Sequence, residues 1–419
     1  MSDILHDRET RSQEIEQLLV KHPIIISIKA NIPGQDKNRF PAHLLVRLFS
    51  NLIKNQSEVS RELKESNDGP FMLIALSAGK GDYIKNECIS LEESTPIGRF
   101  VDIDVYSKDK DHHRSTPRTC VICGESDARI CQKTDKHTAE EVIQVIKQKT
   151  IEYLKYTIDQ LIDDSILCEL NLDPKFGLVT PTSSGSHKDM DYALMIHAKE
   201  AITPFFIQMF ELGIHFNGSP EELMNSIRII GLEAENAMLE ATHGVNAYKG
   251  LIFNLGFVVT ALGRVLRLHL PFEAIFDELK LMSKPLLGEL ESIPVSFGIE
   301  AFHKYGIGGA RKEMSLGLPS VQQTLRNLTD IHQKELYQAL VQLIVMTEDT
   351  TLLKRTDINT IYLIKDIFSR LDVSDIDEVN AVTTYCIKNN LTFGGSADLL
   401  VVSVYLCKVK KLFFTSQDK

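Results

Sequence analysis

The periodicity of the apolar residues changes once along this 419-residue chain, and that change limits its folds more than any other feature. Residues 1–135 contain strand-like runs, PIIISIKANI (23–32), PFMLIALSAG (70–79) and GRFVDIDVYS (98–107). A helical pattern, AHLLVRLFSNLIKNQSEVSREL (42–63), lies between the first two. From about Thr138 the spacing becomes helical: AEEVIQVIKQKTIEYLKYTIDQLID (139–163), MIHAKEAITPFFIQMFELGI (195–214) and PEELMNSIRIIGLEAENAMLEAT (220–242). Period-two alternation and 3.6-residue periodicity bury different faces. The expectation is therefore two domains, an α+β domain over 1–149 and an all-α domain over 150–419. No Gly/Pro/Ser-rich linker separates them, so the join is placed in the helical stretch near Lys147–Ile151. LLVVSVYLC (399–407) is ambiguous, because β-branched residues favour strands but a buried helix can carry them.

A formal net charge of −11 argues against a general nucleic-acid binder, and no nucleic-acid partner is expected. The first twenty residues are polar and charged, without the pattern of a signal peptide. The longest apolar run, Leu251–Leu262, is broken by Asn254 and followed by Arg264 and Arg267, so it reads as a buried core helix rather than a membrane span. The seven cysteines show no secretory framework; a cytoplasmic protein is expected.

Within GRFVDIDV, Asp102 and Asp104 share one face of a strand while Val101, Ile103 and Val105 share the other. Two adjacent carboxylates repel unless a cation lies between them. Mg2+ bound to a triphosphate would meet that need, with Gly98 admitting a phosphate close to the backbone and Arg99 pairing with its oxygens. A solvent-facing strand with two polar residues explains the spacing equally. Cys120, Cys123, Cys131 and His137 follow as C-x2-C-x7-C-x5-H, compatible with structural zinc or with buried free thiols. In the charged loop SKDKDHHRSTPR (107–118), Arg118 is the candidate phosphate contact.

With NIPGQDK (31–37), TPIGRFVDIDV (95–105), PRTCVIC (117–123), Cys131 and His137, residues 1–148 resemble the apo-citrate lyase phosphoribosyl-dephospho-CoA transferase family. The resemblance implies transfer of that group to a serine of the citrate lyase acyl carrier (gamma) subunit, with release of diphosphate. It also implies a nucleotidyltransferase-like role for Asp102 and Asp104.

Four stretches mark the second half: GSHKDMD (185–191), GLEAENAMLEATHGVNAYKG (231–250), GIGGARKEMSLGLP (306–319) and NNLTFGGSADLL (389–400). In the last, Ser396 reads as a helix cap behind Gly394 and Gly395, leaving backbone N–H groups for an anion. Asp398 would repel a bare phosphate, so a bridging Mg2+ is the consistent reading. Each stretch taken alone can be a capped helix start, a loop, or, for Glu235, an ion pair with Lys249.

Together these stretches resemble the all-helical triphosphoribosyl-dephospho-CoA synthase family. That resemblance implies condensation of ATP with 3'-dephospho-CoA and release of adenine. The implied substrate contacts are His187, Lys188, Asn246, Lys249, Gly309, Arg311, Gly394, Gly395 and Ser396. Asp189, Asp349 and Asp398 are the candidates for Mg2+, and Glu235 and Asp398 are the candidate catalytic residues, Glu235 as general base or transition-state stabiliser. The chain departs from the family pattern at Tyr248, where histidine is usual, and at Thr351 and Phe393.

The product implied for the second half is the substrate implied for the first, so the expectation is a bifunctional transferase. Alternatives are a nucleotide-binding assembly protein with an inactive C-terminal half, an N-terminal half that only docks the carrier, and the same chemistry serving malonate decarboxylase.

Overall fold

The protein, seen in a computed structural model, is described over residues 2–108, 111–112, 114, 116–124, 127–290 and 303–414. It divides into two compact units. Unit 1 comprises Met1–Tyr156, Leu266–Pro271 and Lys410–Lys419; unit 2 comprises Thr157–Val265 and Phe272–Val409.

Unit 1 contains α1 (Ser2–Lys21), β1 (Ile24–Ala30), α2 (Ala42–Leu52), β2 (Glu58–Lys64), β3 (Phe71–Leu76), α3 (Gly81–Ser94), β4 (Val101–Ser107), the two-residue β5 (Asp111–His112) and α4 (Ala128–Lys133). The sheet order is β2-β3-β1-β4-β5, with every neighbouring pair antiparallel. One face presents Ile24, Ile26, Ile28, Met72, Ile74, Leu76, Val101, Ile103 and Val105, all essentially inaccessible, and packs against α2 and α3. The other face is divided along its length. Its apolar part, Ile25, Phe71, Leu73 and Ala75, is covered by Ile15, Leu18 and Leu19 of α1. Its polar part pairs Lys29 with Asp102 and Ser27 with Asp104 across β1 and β4. Period two thus places the aspartates at the uncovered end of a hydrophobic layer.

Part of the stretch 42–63, expected as one helical pattern, is a strand. The helix ends at Leu52, and Glu58–Lys64 forms β2. EVSRELK is polar because β2 lies at the sheet edge and is only half buried, so hydrophobic alternation is weak there.

The boundary between the units falls inside α5 (Ala139–Leu170). Unit 2 is helical, with α6 (Tyr192–His215), α7 (Leu223–Ala241) and α8 (Lys249–Leu268) followed by shorter helices and a final helix, Gly394–Phe413. Its described residues contain no strand, only an isolated bridge between Thr180 and Ser183. The ambiguous 399–407 stretch is helical, and its β-branched residues Val401, Val402 and Val404 are buried, so packing overrides their strand propensity. Helix α8 is long and apolar enough to cross a membrane, but 83% of its apolar window is buried inside the protein, as a core helix requires.

Candidate active sites

In unit 1 the side chains of Asp102 and Asp104 remain about half exposed, at 45% and 49%, while their apolar neighbours on β4 are buried. Protein cations approach both carboxylates. Arg118 donates to Asp102 Oδ1, to the Val101 carbonyl at 2.6 Å and to Glu92 Oε1 at 2.7 Å. The Lys85 ammonium lies 3.6 Å from Asp104 Oδ1 and donates to the Ile103 carbonyl at 2.5 Å. Lys29, opposite Asp102, is held by the fully buried carboxylate of Asp68 together with Arg8 and Arg11. Burial lowers the Lys29 pKa to about 8 despite that hydrogen bond. Burial would raise Asp68, but hydrogen bonds from Arg8 and Lys29 bring it down to about 2.

Glu92 binds Arg114 and Arg118 and also accepts the Ile103 N–H at 3.0 Å, which ties α3, β4 and the following loop together. Gly98 touches the Glu92 backbone so closely that an added Cβ would lie 2.1 Å from the Glu92 carbonyl oxygen. Glycine there admits α3. Arg99 reaches the Thr119 carbonyl with its Nε at 2.8 Å. Lys110 and His113 of the charged loop lie outside the described residues.

The ligating atoms of Cys120, Cys123, Cys131 and His137 all lie within 4.8 Å of one another, a donor set compatible with zinc.

Unit 2 contains a cavity of about 540 Å³ onto which the four marked stretches converge. His187 and Asp189 come from the first, Asn246, Tyr248, Lys249 and Gly250 from the second, Gly309 and Lys312 from the third, and Gly394, Gly395 and Asp398 from the fourth. Two long helices, α8 and Gly394–Phe413, begin at this cavity, and their N-terminal partial charges favour an anion. The Asn246 side chain accepts the Lys249 N–H at 3.2 Å and so shapes the start of α8.

The carboxylates lining the cavity divide into two groups. Glu169 pairs with the buried Lys175, Glu348 with Lys312, and Glu313 accepts from Ser320. Asp349 is engaged on both oxygens, by Thr351 N–H at 2.8 Å and Ser396 N–H at 3.0 Å. Asp189 and Asp398, among the described residues, have no hydrogen bond or ion pair. The Asp398 carboxylate keeps a partial opening to the cavity but is otherwise walled by protein. Burial, and then the charges of Glu169 and Asp349, raise its pKa well above the usual carboxylate range. It also sits against Gly250, where an added Cβ would lie 2.0 Å from Asp398 Oδ2.

Several expected contacts are displaced. Ser396 lies inside the first turn of its helix rather than at the cap, and Asp349 takes up its N–H and hydroxyl. Glu235 does not line the cavity; it forms an ion pair with Lys249, which does. Lys188, Arg311 and Ser396 are also absent from the lining. Tyr248 and Thr351, two of the departures from the family pattern, line the cavity, and missed on the sequence are Lys175, Lys312, Lys354 and Arg355, which line it as well. Lys312 lies in GIGGARKEMSLGLP, whereas Lys175, Lys354 and Arg355 lie outside the four marked stretches; residues 348–355 (EDTTLLKR) supply six lining residues, Glu348, Asp349, Thr350, Thr351, Lys354 and Arg355.

His187 Nδ1 accepts from Arg355 at 3.3 Å, so the neutral ring carries its proton on Nε2, which donates to Thr392 Oγ1 at 2.9 Å. Burial, helped by Arg355, lowers its pKa from 6.5 to about 4. Between pH 6.5 and 4 the unfolded chain binds a proton that the folded chain refuses, so this histidine's contribution to stability is lost as pH falls through that window. Thermal melts of H187Q should therefore show a smaller loss of melting temperature from pH 7 to pH 4.5 than the native chain. Equal losses would mean that His187 titrates as a solvated histidine.

The chain matches two families end to end. Residues 1–153 match CitX, apo-citrate lyase phosphoribosyl-dephospho-CoA transferase, and residues 155–415 match CitG, ATP:dephospho-CoA triphosphoribosyl transferase. Protein CitXG of Haemophilus influenzae is 31% identical, over 96% of this chain and 94% of its own length. Protein CitXG of Leuconostoc mesenteroides subsp. cremoris is 30% identical, over 98% and 97%. The 2-(5''-triphosphoribosyl)-3'-dephosphocoenzyme-A synthase of Haemophilus ducreyi is 31% identical and covers 68% of this chain. With both matches in one polypeptide, the chain belongs to the CitXG family of bifunctional transferases that make the citrate lyase prosthetic group and attach it.

Proposed function

We propose that the helical segment over 150–419 condenses ATP with 3'-dephospho-CoA, and that the segment over 1–149 passes the product to the gamma subunit of apo-citrate lyase. The observation that carries this reading is the cavity in unit 2, where cationic side chains, two helix N-termini and two unpartnered carboxylates meet.

In the first reaction the 2'-oxygen of dephospho-CoA attacks C1' of the ATP ribose. The C1'–N9 bond breaks, and the hydroxyl proton leaves while the departing adenine gains one. Lys249, Lys312, Lys354 and Arg355, which line the cavity, bind the triphosphate. Asp398, held neutral by its surroundings, donates the proton to adenine. Asp189, open to the cavity, takes the hydroxyl proton or helps hold Mg2+, which the triphosphate would bring and which fits an all-oxygen donor set. Glu235 acts through Lys249 by fixing its ammonium.

In the second reaction a carrier serine hydroxyl attacks the phosphorus atom next to the ribose, the P–O bond to the diphosphate breaks, and the serine proton is released. Asp102 and Asp104, at the open end of the sheet face, would hold Mg2+ in a nucleotidyltransferase-like role, which would supply charge neutralisation for the departing diphosphate, with Arg118 and Lys85 beside them.

Mass spectrometry of apo carrier protein incubated with the chain, ATP, Mg2+ and dephospho-CoA tests the whole sequence. A mass gain equal to the phosphoribosyl-dephospho-CoA group is expected. Adenine release with no carrier modification would remove the second step, and neither event would remove both.

A further inference from the structure

Between Arg114 and Glu140, only Cys120 and Cys131 are buried among the described residues. Before α5 begins at Ala139, the helix among its described residues, α4, has six residues. A segment with so little apolar burial lacks the means to fix its own conformation by packing. Its described residues nevertheless bring three sulfurs and one imidazole nitrogen together within 4.8 Å. Tetrahedral zinc, with bonds of about 2.3 Å to sulfur and about 2.0 Å to nitrogen, sets its ligand atoms about 3.5–3.8 Å apart. The Cys123 and Cys131 sulfurs are 3.5 Å apart, and none of the three cysteines forms a disulfide. His137 Nε2 is buried with no hydrogen-bond partner, which leaves a lone pair for a metal.

We propose that Cys120, Cys123, Cys131 and His137 bind one structural zinc ion, and that the metal holds in place the loop that presents Arg118 to Asp102. Closed four-ligand coordination leaves no open position for chemistry, so the role is structural. Cys120 is two residues from Arg118, and the Arg118 carbonyl accepts the Ala128 N–H at 2.9 Å, which links that residue to the far side of the metal loop. The Thr119 carbonyl, between Arg118 and Cys120, accepts from Arg99. Three thiolates around zinc carry a net charge of −1, which the neighbouring Arg99 and Arg118 complement. The metal itself is independent of the transfer reading; its consequence for transfer rests on Asp102 and Arg118 belonging to the transferase site.

The test uses the full-length chain, with metal content measured by mass spectrometry of the desalted protein. One zinc per chain is expected, with Cys123 resisting alkylation despite its exposure until a chelator is added. Co2+ in place of zinc should give the absorption of a tetrahedral thiolate site. C131S and H137A should lose the metal and raise the KM for the preformed triphosphoribosyl substrate severalfold, while adenine release stays unchanged. H137C, which restores a fourth ligand, should keep both metal and transfer. A zinc-free chain with full transfer activity overturns the proposal and leaves the transferase reading standing. One zinc with no transfer at all leaves the metal site standing and counts against the transferase reading. Unchanged zinc in C131S and H137A also overturns the proposal.

Discussion

Replacing Asp398 with asparagine is expected to slow adenine release from ATP and dephospho-CoA by about 10²- to 10⁴-fold, the range for loss of a general acid. Transfer of preformed triphosphoribosyl-dephospho-CoA to the carrier should be unaffected. The physical reason is the state of the carboxyl group. Burial and the charges of Glu169 and Asp349 favour its protonated form, and no donor among the described residues hydrogen-bonds its anion. Asparagine keeps the shape and hydrogen-bonding capacity but has no acidic proton to give. Because the amide has nearly the shape of the protonated acid and, like it, carries no charge to bury, the variant should melt near the native temperature, which separates chemical loss from misfolding. The native rate should decline once the pH exceeds the raised pKa, and D398N should lack that decline. G250A should imitate the defect, because an added methyl group displaces the carboxylate it would touch. Adenine release within twofold of native in D398N would remove Asp398 from the chemistry.

The second large effect belongs to the strand aspartates. D102N and D104N are each expected to reduce carrier modification by on the order of 10²-fold or more, the scale of losing several kcal/mol of metal-borne charge stabilisation. Adenine release should continue at the native rate. The two variants should differ in substrate affinity. Asp102 is one of two carboxylates on Arg118, Glu92 being the other, so D102N leaves the guanidinium held in place with more positive charge for the triphosphate, and its loss should fall on kcat more than on KM. Asp104 sits at 3.6 Å from Lys85, a looser pair, and D104N should release less binding capacity. Carrier modification at native rates in D102N/D104N would reduce the N-terminal half to a docking module.

Much of this was legible in the chain, for reasons that differ by segment. Strands β1, β3 and β4 were readable because each is apolar on both faces or alternates in a clean period of two. Strand β2 was not, because an edge strand half open to water can be built from EVSRELK. The helix over 399–407 was ambiguous because β-branched residues satisfy a fully buried helix and a buried strand alike. The candidate site followed the same division. His187, Asp189, Asn246, Lys249 and Asp398 lie in stretches that stand out and do line the cavity. Lys175 and Arg355 lie outside those stretches, and nothing in a linear order separates a cation facing a cavity from one facing solvent.

Local chemistry was determined by the sequence alone: which half is helical, that Asp102 and Asp104 share a face, and that three cysteines and a histidine recur at ligand spacing. These follow from backbone periodicity and covalent spacing, which need no partner from elsewhere in the chain. Only the tertiary structure decided which charges are already spoken for. Asp349 is engaged by Ser396 and Thr351, Glu235 by Lys249, and Asp102 by Arg118, whereas Asp189 and Asp398 are left open to the cavity. A carboxylate's reactivity depends on its solvation and its neighbours, and those neighbours come from residues as distant in sequence as Glu169 and Gly250 are from Asp398.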